Sequence, residues 1–178
     1  MKATGKKCLI AFFSRKGQNY VSGRIVDLKI GNTEVVAQMI QKKTGGDLFP
    51  IETVAAYPND YTETTDVAKN ELRTKARPKL KRQVENMEVY DIIFLGYPNW
   101  WGAPPMAVFT FLEGYDFSGK TIVPFCTHEG SGMGHSESDI KEICPGATML
   151  NGLSIRGRSV QRAENDVSAW LRKSGVIA

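Results

Sequence analysis

The sequence predicts an α/β protein: a doubly wound sheet of five parallel strands with helices on both faces, three layers in all. Three observations predict it. Leu9 to Phe13, Ile92 to Tyr97 and Thr121 to Cys126 are near-continuous apolar runs, the pattern of parallel strands covered on both faces. Helical patterns lie between them, so strand and helix alternate along the chain. Each run leads into a polar or aromatic loop, and in such sheets ligands bind beyond the carboxyl ends of the strands.

Leu9 to Phe13 is the first strand, and Ser14-Arg15-Lys16-Gly17 the turn that ends it. From Gln18 to Ile30 the chain detours where a few residues normally suffice. Val26, Leu28 and Ile30 alternate with Asp27 and Lys29 after the turn signal Ser22-Gly23, which predicts an inserted hairpin. Val35, Val36, Met39 and Ile40 then mark one face of a helix that starts at Asn32 or Thr33 and stops at Gly45-Gly46. Asp47 to Ile51 is a second strand, placed toward an edge by Pro50. Thr64 to Lys75 is a mostly polar helix, Met106 to Leu112 an apolar one behind Pro104-Pro105, and Ser136 to Ile143 a short one. Ala147 to Leu153 supplies the fifth strand. The last helix carries Val160, Ala163, Val167, Trp170 and Leu171 on one face, with Ser159 as its cap and Gly175 as its stop.

A chain of 178 residues fits a single domain over 1–178, with the hairpin at 18–30 beside the site. Its 42% hydrophobic and 24% charged residues suit a soluble protein, and no apolar run approaches the roughly 18 residues of a membrane helix. The basic start Met1-Lys2-Ala3-Thr4-Gly5-Lys6-Lys7 leads into a strand's length of apolar sequence without a cleavage site, so a cytoplasmic location is expected. Cys8, Cys126 and Cys144 are odd in number and lack metal spacing, which fits buried, reduced thiols. A net charge of +4 mildly favours acidic ligands and is too small to imply nucleic acid. The basic run Lys75 to Arg82 reads as a solvated face.

The first loop forms a phosphate cradle in one of two ways. Ser14 to Asn19 is contiguous but has no helix behind it; Ser14-Arg15-Lys16 spliced onto Gly31-Asn32-Thr33 restores strand, turn and helix start, and is the preferred version. The second loop, Pro98-Asn99-Trp100-Trp101-Gly102, offers one of two indoles as a stacking surface for a planar ring. In the third, Thr127-His128-Glu129-Gly130-Ser131-Gly132, the glycines permit close backbone approach to a ligand. His128 and His135 match no zinc pattern. Ser131 is not in a nucleophile elbow, and no Walker motif is present. Three such loops at one sheet edge make a nucleotide site, read here as a flavin site without catalytic side chains of its own.

Together these residues resemble the flavodoxin family, in its bacterial branch with an insertion in the phosphate loop, from Cys8 to Leu171. Tyr97-Pro98-Asn99-Trp100-Trp101-Gly102 is the most specific element. The resemblance implies strand order 2-1-3-4-5 and noncovalent FMN. It also implies a phosphate loop of Ser14, Arg15, Lys16, Gly31, Asn32 and Thr33, a stacking Trp100 or Trp101, and the third loop across the ring. The chain departs from the family in being net basic, in carrying Arg15 and Lys16 in the turn, and in offering His128 where a tyrosine often stacks. Each change makes the reduced flavin easier to reach.

The function expected is electron transfer to a redox partner protein or a small-molecule acceptor, as a monomer or homodimer, without nucleic acid or membrane. An FMN-dependent NAD(P)H oxidoreductase acting on quinones is the alternative, with Arg15, Lys16, Arg156 and Arg158 attracting the nucleotide phosphates. A cofactor-free interaction module using the basic run is the third class, and predicts a colourless protein with salt-sensitive binding.

Overall fold

The computed structural model describes residues 5–177; Met1 to Thr4 of the basic start lie outside them. Strands β1 (Cys8–Phe12), β4 (Asp47–Pro50), β5 (Ile92–Pro98) and β6 (Thr121–His128) pair in parallel in the order β4-β1-β5-β6. Two short strands, β7 (Thr148–Met149) and β8 (Leu153–Arg156), share the far side of β6. The sheet therefore runs 2-1-3-4-5 with its fifth strand in two pieces, and not as one strand over Ala147 to Leu153.

Pro124 explains the split. Ile122 faces this edge, since its carbonyl accepts the Leu150 N–H at 3.0 Å. Two residues on, Pro124 faces the same way and has no N–H to give. The edge strand bulges there: Ile122 pairs with Met149, whereas Phe125 pairs with Leu153, leaving one residue more on the edge strand than on β6.

Both faces of the sheet are covered, as the unbroken apolar runs require. Cys8, Ile10 and Phe12 pack with Val36, Ala37 and Ile40 of α1 (Asn32–Thr44) and with Val167 and Leu171 of α5 (Glu164–Lys173). Leu9, Ala11 and Phe13 face the other way, toward Val108 and Phe111 of α3 (Met106–Glu113) and Ile140 of α4 (Ser136–Ile143). Helix α2 spans Tyr61–Thr74, earlier than the expected start at Thr64, because the Asp60 carboxylate accepts the Glu63 N–H at 2.9 Å. Ser159 is no helix cap: it lies within a 3₁₀ helix, Gly157–Arg162, ahead of α5. Val160 and Ala163 are spaced three apart, which a 3₁₀ turn buries as well as an α turn does.

The detour folds as expected into a hairpin of β2 (Gly17–Val21) and β3 (Arg24–Leu28). Its tip, Ser22 at φ 52° and Gly23 at φ 88°, has the two left-handed residues of a tight hairpin turn. None of the described helices is long and apolar enough to cross a membrane. Arg77 of the basic run forks onto Glu113 (2.8 and 2.7 Å) and Arg82 lies over the Phe49 ring, so two of its charges serve the fold.

All three cysteines are buried and free. Burial pushes the Cys126 thiol up to about 12 and those of Cys8 and Cys144 up to about 11, so the reactive thiolate is scarce at neutral pH. A disulfide reagent at pH 8 is therefore expected to titrate none of the 3 thiols in the native protein and all of them in denaturant; prompt labelling without denaturant would contradict this.

Candidate functional site

The loops that follow β1, β5 and β6 meet at the carboxyl edge of the sheet, where the strand order reverses. In the first, Gly31 precedes α1 and has no side chain with which to cap it. Ser14 takes that role from across the insertion, its Oγ accepting the Glu34 N–H at 3.0 Å. Ser14-Arg15-Lys16 and Gly31-Asn32-Thr33 are thus neighbours in space, as the spliced reading requires. With Glu34 served by Ser14, the amides of Asn32 and Thr33 have no partner among the described residues. They stand at the positive end of a 13-residue helix, an arrangement that favours an anion. Thr33 Oγ1 is held 2.8 Å from Thr127 Oγ1, which ties this loop to the third.

In the second loop Asn99 is the clasp. Its Nδ2 donates to the Gly132 carbonyl at 2.8 Å, its Oδ1 accepts the Gly102 N–H at 2.8 Å, and its own N–H donates to Thr127 O at 2.8 Å. Trp100 packs edge-on against Phe13 and Tyr57, both with ring centroids 5.2 Å away. Trp101 differs. It is 52% exposed and adopts φ 58°, a conformation that costs a bulky residue roughly 1–3 kcal/mol. Its indole N–H donates to the Thr65 carbonyl at 3.1 Å, which fixes the ring against α2.

In the third loop His128 Nδ1 accepts the Gly130 N–H at 2.9 Å, so the ring proton sits on Nε2. Burial first, then the Arg156 cation, lowers its pKa below the ordinary 6.5, while Glu129 opposes them. The folded state prefers the neutral ring; the associated stability is present above 6.5 and is lost as pH falls through the native value. An NMR titration is expected to place the His128 midpoint below 6.5, and Arg156→Gln is expected to move it upward. Glu129 Oε2 accepts the Ser22 N–H at 3.0 Å and so ties the hairpin tip to this loop. Its Oε1 is buried without a partner.

These loops enclose a cavity of about 360 Å³. From the first loop Arg15, Asn32 and Thr33 line it; from the second, Pro98, Asn99 and Trp100; from the third, Thr127, His128, Glu129, Gly130 and Ser131. Six expected residues do not. Ser14 and Lys16 line a groove on the other side of the turn, with Lys29 and Lys81. Gly31 backs the Ser14 cap, Gly102 and Gly132 bond to Asn99, and Trp101 lines a neighbouring cavity. Asn19 of the hairpin, the last residue of the contiguous Ser14–Asn19 reading, also lines the cavity, as do Tyr20 of the hairpin and Tyr61 of α2, which no sequence motif marks. Tyr20 and Tyr61 stack with centroids 6.0 Å apart, a contact that only the folded insertion creates. No described group of His, Cys, Asp and Glu residues is arranged to hold a metal.

A flavodoxin family model matches residues 7–174. The chain belongs to the flavodoxin family. Flavodoxin 1 of Escherichia coli (strain K12) is 26% identical over 145 residues, which are 79% of this chain and 65% of the relative; the chain thus spans just under two thirds of the length of the curated flavodoxins it matches. A crystal structure assigned to a flavoprotein from Bacteroides eggerthii DSM 20697 is 31% identical, covers 97% of this chain and 99% of its own, and superposes with a TM-score of 0.76. A Lactobacillus acidophilus NCFM flavoprotein solved in complex with FMN shares the flavodoxin fold at 21% identity and a TM-score of 0.62, over 89% of this chain and 98% of that one.

Proposed function

We propose that this flavodoxin-family protein binds FMN noncovalently in the 360 Å³ cavity and carries electrons between a donor and a redox partner protein or small-molecule acceptor. The observation that carries this reading is the convergence of three loops on one cavity that Asn32 and Thr33, whose helix-start amides are unpartnered among the described residues, line together with the Trp100 indole. The residues fit the group. The amides of Asn32 and Thr33, with the Asn32 side chain, would hold the phosphate; Trp100 and the Pro98–Asn99 backbone would support the ring from one side and the His128–Ser131 loop from the other. When bound, FMN supplies the one- or two-electron chemistry, and the protein supplies position and electrostatics. Arg15 contributes a cation to the same cavity, which favours added negative charge there.

Titrating the purified protein with FMN is the test: saturable quenching of flavin fluorescence at one equivalent is expected, and the absence of both quenching and calorimetric heat would overturn the proposal. Steady NADPH oxidation with an added quinone would identify NAD(P)H as a direct donor. Absence of turnover would leave a carrier served by another protein.

Glu129 is the residue whose charge opposes a phosphate. The residue lines the same cavity as Asn32 and Thr33, with Oε2 on the Ser22 N–H and Oε1 buried, so an incoming anion meets a carboxylate nearby. Glu129→Gln removes that repulsion and keeps an acceptor for the Ser22 N–H. It is expected to tighten FMN binding by roughly threefold to tenfold at low salt, less at high salt; unchanged or weaker binding would show that the carboxylate lies out of reach.

A further inference from the structure

On the far side of the turn that ends β1 runs a groove of about 530 Å³, and of its lining residues Arg15 alone also lines the cofactor cavity. The groove has an apolar floor and a basic rim. Phe13 and Ile51 are buried and Leu28 half-buried, whereas Lys16, Lys29 and Lys81 are exposed and come from three separate segments. None of these three ammonium groups has an ion-pair or hydrogen-bond partner among the described residues. Asp27 and Glu52 line the groove too, but three lysines and Arg15 leave its balance positive.

One wall belongs to an open strand edge. Because Ser22-Gly23 is a two-residue turn, Val21 and Arg24 exchange main-chain hydrogen bonds, and so do the pairs Asn19–Val26 and Gly17–Leu28. The N–H and C=O groups of Ile25 and Asp27 therefore point away from β2. Neither residue has another main-chain partner among the described residues. Asp27 and, just beyond the strand, Lys29 bring this edge to the groove.

We propose that the groove docks an extended acidic segment of a partner protein, added as a strand along β3, with acidic side chains toward the lysines and apolar ones toward Phe13 and Ile51. The open edge selects a strand, since a helix has spent its main-chain groups on itself. Successive side chains of a strand point to opposite sides, which matches an apolar floor below a basic rim. The unpaired lysines select carboxylates. Nucleic acid fits less well. Tyr57 donates to Glu71 Oε2 at 2.8 Å and packs edge-on against Phe13 and Trp100, so its ring is already engaged, and Asp27 and Glu52 repel a phosphate chain. The proposal goes beyond the FMN reading and does not depend on it.

The experiment is fluorescence anisotropy of a labelled peptide in which glutamate and valine alternate, titrated with the purified protein at low salt. Saturable binding is expected, weakened by about tenfold or more at high salt. Combining Lys29→Gln with Lys81→Gln, both at exposed positions, is expected to weaken the peptide by about tenfold while FMN affinity changes by less than about twofold. Methylating alternate main-chain nitrogens of the peptide blocks strand pairing and is expected to cost about tenfold as well. Lack of saturable binding to the wild type, or undiminished binding to the double variant, would overturn the proposal. Equal affinity for the methylated peptide would overturn strand addition. Tighter capture of single-stranded DNA with the same lysine dependence would assign the groove to nucleic acid and also overturn it. A failed FMN titration would sink the functional reading alone, because the peptide is read out without the cofactor.

Discussion

Gly31→Ala is expected to abolish FMN capture and to lower the melting temperature by roughly 6–12 °C, from a loss of about 3 kcal/mol. The cause is space, since Gly31 sits at φ −65°, ψ 149°, where any residue is comfortable. A Cβ there would run into Ser14 Oγ and would stand 2.7 Å from the Arg15 carbonyl oxygen and 2.8 Å from its carbon. The serine can turn away only by giving up its bond to the Glu34 N–H, which costs about 1 kcal/mol as a lost cap. The Arg15 backbone cannot turn away, so the turn and α1 must separate, and the amides of Asn32 and Thr33 leave their place. Ser14→Ala separates the two effects: it loses the cap alone and is expected to melt only about 2–4 °C lower with FMN binding retained. Thermal denaturation and FMN titration of both variants measure this; wild-type behaviour in Gly31→Ala would refute the junction described here.

Asn99→Ala is expected to cost about 2–4 kcal/mol and to weaken FMN by roughly tenfold to a hundredfold, because one side chain holds two loops together. Its amide donates to Gly132 O and accepts from Gly102 N, so truncation leaves the Gly102 N–H unpaired and the Gly132 carbonyl with only the weak Cys126 thiol donor, in a partly buried place. The backbone bonds from Asn99 N to Thr127 O and from His135 N to Gly102 O still link the second loop to the third loop and the segment behind it. Asn99→Asp is the sharper probe. It nearly preserves shape and keeps the acceptor for Gly102, but sets a carboxylate oxygen against the Gly132 carbonyl, so a loss at least as large is expected. If Asn99→Asp behaved as wild type, the donor to Gly132 would carry no weight and the clasp would be a matter of size.

Strands and their layers were legible in the chain because burial on both faces leaves an unbroken apolar run, as at Ile92 to Tyr97, all of it buried. The splice of Ser14 to Gly31 was legible because a strand end needs a helix start to make an anion site, and the nearest start lay beyond the insertion. Less visible was what closes the cavity. Tyr20 and Tyr61 lie in segments with little apolar periodicity, and their stacking joins residues 41 positions apart. Nor did the Lys16 charge announce that it would face away, since a turn written as Ser-Arg-Lys leaves each side chain's direction to the neighbours it meets.

By itself, then, the sequence determined the alternating α/β order, the hairpin in the first crossover and the three loops that gather at one sheet edge. These depend on local periodicity, turn residues and the handed rules of parallel sheets, all of which act along the chain. Only the tertiary structure decided which residues of those loops face the cavity. It turned Lys16 outward, pinned Trp101 to α2, left Glu129 Oε1 unpaired and divided the fifth strand at Pro124. Such outcomes come from contacts between segments distant in sequence, where packing space and available hydrogen-bond partners, not local propensity, choose the orientation of each side chain.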